Sequence, residues 1–147
     1  MDIKKKTRKR RRQSQELIER RLNDKKWEVR CTLAERTDWT PTQDQFKRGL
    51  MDKHYLVREA WIYRKDLVLT QEVIEIGLTD AWEDNRIKCA EMYFKELDAR
   101  KGTPTPKQIQ RGLSDASEKV RDLWIKSLRR QMCTVLDDDD SSTFQSI

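Results

Sequence analysis

The frame L-x-D-x-x-x-x-V-R recurs four times in this chain, with its leucine at Leu22, Leu50, Leu78 and Leu113. The intervals between these leucines are 28, 28 and 35 residues. Asp24, Asp52, Asp80 and Asp115 follow two positions later. Val29, Val57, Asn85 and Val120 follow seven later, each trailed by an arginine: Arg30, Arg58, Arg86 and Arg121. Ser14, Thr42, Thr70 and Thr105 precede the leucine by eight, and Ile18, Phe46, Ile74 and Ile109 precede it by four. Agreement across so many registers, with Asn85 the one departure, marks an internal repeat. A unit this short cannot bury an apolar face alone and must pack on its neighbours.

Each register has a physical role. A Ser or Thr at the start offers a side-chain oxygen to an orphan amide of a helix. Gln45 and Gln108, three residues after Thr42 and Thr105, complete capping boxes, and Pro106 takes the favoured first helical position. The Ile or Phe and the Leu four later form one stripe on a short helix. The Asp that follows reads as the cap of a second helix, whose apolar positions continue into Leu33-Ala34, Trp61-Ile62, Cys89-Ala90 and Trp124-Ile125. Gly49, Gly77 and Gly112 remove a side chain where another helix must come close. The seven extra residues of the third interval fall in AEMYFKELDARKG and add two turns to a second helix that stops at Gly102. The sequence thus predicts helices near 14–23, 25–36, 42–51, 53–65, 70–79, 83–100, 105–114 and 116–134. The expected fold is all-α: a short right-handed α-solenoid of four helical hairpins, with repeats near 14–41, 42–69, 70–104 and 105–136.

The frame, with Ala following, resembles HEAT-like repeats, and the segment RTDWTPT at 36–42 is similar to leucine-rich repeat variant proteins of bacteria. The resemblance spans residues 14–134 and implies an α-solenoid. HEAT-like solenoids mostly bind proteins, and one bacterial branch, the alkylpurine DNA glycosylases, binds DNA in its concave face. The variant family carries a cysteine-rich iron–sulfur segment. Cys31, Cys89 and Cys133 do not match it, so no cofactor is carried over.

Composition supports exposed helices: 39% of residues are charged, with four Gly and three Pro. No apolar run approaches the ~20 residues of a membrane span, and no apolar region follows the basic N-terminus as a secretory signal requires. The three scattered cysteines suit reduced thiols in an intracellular protein, in the cytoplasm or in a nucleoid or nucleus. The net charge of +6 is unevenly spread. Residues 1–13 carry +7 and residues 137–147 carry −4, so the body between them is close to neutral. Both ends are expected to be disordered, a basic arm over 1–13 and an acidic tail over 137–147.

These features point to a binding module. Lys4, Lys5, Lys6, Arg8, Lys9, Arg10, Arg11 and Arg12 place eight cations in nine positions, a polycation suited to phosphates. Arg20, Arg48 and Arg111, with Lys47 alongside, form a broken basic row two positions before the reference leucine and would extend the track. The expected partner is nucleic acid, DNA or RNA, or a ribonucleoprotein, with no membrane. The alternative is a protein–protein adaptor or inhibitor. Trp61 and Trp124 share the apolar register and belong to the core. Trp27, Trp39 and Trp82 lie near turns and are candidates for a partner surface. The recurring Asp and Arg read as architecture, a cap and an inter-repeat hydrogen-bond ladder. His54 is the only histidine, and no metal-ligand cluster, Gly-rich phosphate loop or nucleophile motif is present, so catalysis is not expected.

Overall fold

The computed structural model describes residues 15–144, with side chains to residue 134. These residues form eight helices and no strand. They are α1 (15–22), α2 (Trp27–Glu35), α3 (Gln43–Leu50), α4 (Tyr55–Ile62), α5 (Gln71–Leu78), α6 (Glu83–Ala99), α7 (Pro106–Leu113) and α8 (Glu118–Phe144). The chain divides after Val68 into two compact units. In unit 1, α4 packs on both α2 and α3; in unit 2, α6 packs on α5 and α8, and α7 packs on α8.

The helix starts follow the capping chemistry. Thr42 and Thr105 accept from the amides of Gln45 and Gln108, whose side chains return the bond to the cap, and Thr70 accepts from Val73. Ser14 lies outside the described residues. The repeated aspartates do not sit at the cap itself. They stand two residues before it, where Asp24, Asp52, Asp80 and Asp115 accept from the amides of Lys26, His54, Trp82 and Ser117. This is an Asx turn, which fixes the entry into the second helix without occupying its first position. The cap residue is then free to vary: His54 Nδ1 accepts from the amide of Leu56, whereas the side chains of Lys26 and Trp82 do not cap their helices.

The glycines mark close approaches. A Cβ on Gly49 would stand 2.2 Å from the Trp61 ring, and one on Gly112 would stand 2.1 Å from Trp124. Trp61 and Trp124 are buried, as the shared register requires. The buried residues of unit 1 include Leu33, Phe46, Leu50, Val57 and Trp61, with Phe46 edge-on to the Trp61 ring at 5.4 Å. In unit 2, Ile74, Tyr93, Phe94, Leu97 and Val120 surround Trp124, with Phe94 edge-on to its ring at 4.9 Å.

Two boundaries differ from expectation. Helix α6 ends in a Schellman motif, but the left-handed residue is Lys101 (φ 53°), not glycine. Gly102, one position later, donates to the Leu97 carbonyl at 2.7 Å. The last helix was expected to end near 134, before a disordered tail from 137; instead α8 continues through Asp137–Asp140 to Phe144. No Gly or Pro follows Gly112, and extending a formed helix adds a bond without a new nucleation step. Residues 145–147 lie outside the description.

Candidate functional site

The arginines of the frame form ties within each unit. Arg30 donates from Nε and Nη2 to the two carboxylate oxygens of Asp52, at 2.7 and 3.0 Å, and from Nη1 to the carbonyl of Asp24 at 2.6 Å. Arg86 repeats the arrangement in unit 2, donating twice to Asp115 at 2.9 Å and once to the carbonyl of Asp80 at 2.8 Å. Both pairs are largely buried. Burial alone would raise the Asp115 pKa, but hydrogen bonds from Arg86 and the Ser117 amide outweigh it and hold the carboxyl below its ordinary value. Arg58 and Arg121 donate to the carbonyls of Asp52 and Asp115. The Asp and Arg of the frame are thus structural, as their spacing suggested.

The proposed basic row is partly consumed as well. Arg48 Nη1 lies 2.9 Å from Glu19 Oε2, and Nη2 donates to Asn23. Arg111 Nη1 lies 2.7 Å from Glu75 Oε2. Each glutamate also accepts from a capping-box glutamine, Glu19 from Gln45 and Glu75 from Gln108. The bond from Arg48 lowers the Glu19 pKa, and that from Arg111 lowers the Glu75 pKa. Two members of the row therefore face an opposing charge. Arg20 is exposed on α1. Lys47 and Arg48 do come together, lining a depression of about 730 Å³ with Asp44, Met51 and Trp61. Lys4–Arg12 fall outside the described residues.

The three turn tryptophans separate. Trp39 belongs to the packing of unit 1: its indole donates to the Leu33 carbonyl at 3.0 Å and its ring meets Trp61 edge-on at 5.8 Å. Trp82 is 38% exposed at the start of α6. Trp27 stacks flat on His54, with centroids 4.2 Å apart and planes within 7°.

Arg64, which sequence reasoning passed over, organises the end of unit 1. Its guanidinium donates to the carbonyls of Ala34, Arg36 and Trp39 and pairs with Asp66 at 2.9 Å. It also lies over the Trp39, Phe46 and Trp61 rings. A signal existed: R-x-D recurs at Arg36–Asp38 and Arg64–Asp66, 28 residues apart, and each is an ion pair.

Beside Trp27, an open groove of about 800 Å³ runs between α2 and α4. Cys31, Ala34, Leu56 and Ala60 line it, with Tyr63, Glu35 and Glu59. Burial, then the charges of Glu35 and Glu59, push the Cys31 thiol up to about 11, far from a reactive thiolate. Burial pushes Cys89 up to about 12, and all three thiols are unpaired. Among the described residues no group of three His, Cys, Asp or Glu is placed to hold a metal ion, and no helix is long and apolar enough to cross a membrane. Comparison with protein families, curated proteins and solved structures finds no match to this chain.

Proposed function

We propose that this chain is a non-catalytic binding module: a short right-handed α-solenoid of four helical hairpins whose basic arm associates with nucleic acid or a ribonucleoprotein. Support for the hairpins comes from helix packing within each unit: α4 packs on α3 in unit 1, and α6 on α5 and α8 on α7 in unit 2. Leu50 and Leu78 are buried in that packing.

The observation that carries the nucleic-acid reading is the cation run Lys4–Arg12. Because Arg48 and Arg111 are opposed by Glu19 and Glu75, the arm supplies most of the phosphate attraction, with Arg20 beside it. Such contacts position without reading sequence, so affinity is weakly specific and falls steeply with salt. The test is a salt titration of duplex DNA and RNA binding by the full chain, a chain lacking residues 1–13, and an Arg20/Arg48/Arg111 neutralised variant. Arm removal is expected to abolish binding, and the triple variant to weaken it slightly. Equal binding by all three, or by none, rejects the reading. The competing reading, an adaptor or inhibitor that grips another protein, has one observation in its favour: the open groove between α2 and α4.

A further inference from the structure

The groove is a departure from a pattern that unit 2 keeps. Counting from the reference leucine, Cys31 and Ala60 correspond to Ile87 and Leu123. Those two larger side chains pack against the unit 2 core. Leu56 and Tyr63 correspond to Lys119 and Lys126. In unit 1, then, two filling side chains have become small and two lysines have become apolar or aromatic. Every one of these four differences either opens the trough or makes its rim less positive.

The remaining charges give the groove a sign. Arg64 and Asp66 offset each other in their ion pair, which leaves Glu35 and Glu59 against Lys65 among the lining residues. Glu35 Oε1 lies 3.6 Å from Cys31 Sγ on the groove floor, and the charges of both glutamates reach that thiol. Trp27 is held by the stack on His54, so its orientation is set before any ligand arrives. Tyr63 is 58% exposed at the other end.

We propose that this groove docks a basic segment of a partner protein, seating an apolar side chain on Leu56 and Ala60 and a lysine or arginine between Glu35 and Glu59. Ring faces attract cations, and a carboxylate completes the site for an ammonium or guanidinium head. An apolar trough with a charged edge is the usual arrangement for capturing an amphipathic segment. The inference rests on the adaptor reading and owes nothing to the arm.

The test is fluorescence anisotropy of a labelled short peptide of interspersed leucines and lysines, titrated with the full chain at moderate salt. A glutamate-for-lysine version and a lysine-only version serve as probes of sign and of the apolar contact. Binding is expected for the leucine–lysine peptide, with weaker binding of the lysine-only peptide and none of the glutamate peptide. Glu35→Gln with Glu59→Gln should weaken it by on the order of tenfold. Cys31→Ile with Ala60→Leu, which copies the residues of unit 2, should do the same by filling the trough. The carboxylate variant changes only side chains at the groove edge, so a loss confined to the filled variant with altered circular dichroism counts against the proposal. Binding that neither variant changes places the peptide elsewhere and overturns the groove, while leaving an adaptor in play. If duplex DNA displaces the peptide from the full chain but the groove variants bind DNA less well, the ligand is nucleic acid and the proposal falls. If only a chain lacking residues 1–13 binds the peptide, the groove's occupant is the chain's own arm, and the proposal falls equally.

Discussion

Units 1 and 2 are two versions of one design. Glu19 and Glu75 hold the same position, and each receives a glutamine and an arginine from the next copy: Gln45 and Arg48, or Gln108 and Arg111. Gly49 faces Trp61 as Gly112 faces Trp124. Even the T-P-T before α3 recurs before α7, at Thr40–Thr42 and Thr103–Thr105. The repeat therefore alternates, with the first copy matching the third and the second matching the fourth. What differs is how the second helices are finished. Unit 1 ends α4 after eight residues and closes with the buried Arg64 clasp. Unit 2 extends α6 and α8 and ties them at the surface, where Arg130 and Gln131 both donate to Asp98. The shared parts carry the scaffold, and the differing parts leave a groove in one unit and fill it in the other.

The largest effects should come from what the units share. Asp52→Asn and Asp115→Asn each strand a buried arginine and should cost about 3–5 kcal/mol in urea unfolding. A large loss in one and a small loss in the other would break the equivalence of the two ties. The Asp115 tie also sets an acid dependence. Its folded pKa lies below the ordinary 3.8, so its stabilisation is present above that value and lost as pH falls through the depressed one. Urea midpoints should drop on acidification below about pH 4, and Asp115→Asn should flatten that slope.

Next are the close approaches. Gly49→Ala and Gly112→Ala press a methyl into a tryptophan ring and should cost about 1–3 kcal/mol, beyond the small gain in helix propensity. Gly77→Ala meets Cys89 Sγ at 2.3 Å and should cost less, because one thiol yields more readily than an indole. The filling residues come third. Leu123→Ala should destabilise unit 2 by about 2 kcal/mol, whereas Ala60→Leu should leave unit 1 unchanged or more stable by up to about 1 kcal/mol. A destabilised Ala60→Leu protein would mean that the trough cannot accept the side chain, and the comparison would need redrawing. The smallest change is Lys101→Gly, which relieves a left-handed residue and should raise stability by about 0.5–1 kcal/mol in the same unfolding measurement.

Much of this was legible in the residues. Caps at Thr42, Thr70 and Thr105, the burial of Trp61 and Trp124 and the close approach at Gly49 follow from local chemistry repeated in register. The spacing reads the Asp of each turn as a cap, yet it sits two residues earlier. Spacing alone does not distinguish a side chain that bonds the cap's own amide from one that bonds an amide inside the helix. Trp39 stays half-buried at its turn, and what the spacing does not show is that a guanidinium from 25 residues away holds its carbonyl and lies over its ring. The pairing of Arg48 and Arg111 was hidden for a similar reason. Each glutamate partner stands in the preceding copy, and no periodicity within one copy points to it.

The sequence by itself determined the helices, their caps and the recurring Asp and Arg frame, because those depend on neighbours a few residues apart or on a register written several times. Only the tertiary structure decided which cations are spent in ion pairs and where a groove opens. Those outcomes depend on side-chain volume and charge brought together from separate copies, and a difference of a few carbons, Ala60 against Leu123, separates an open trough from a filled one.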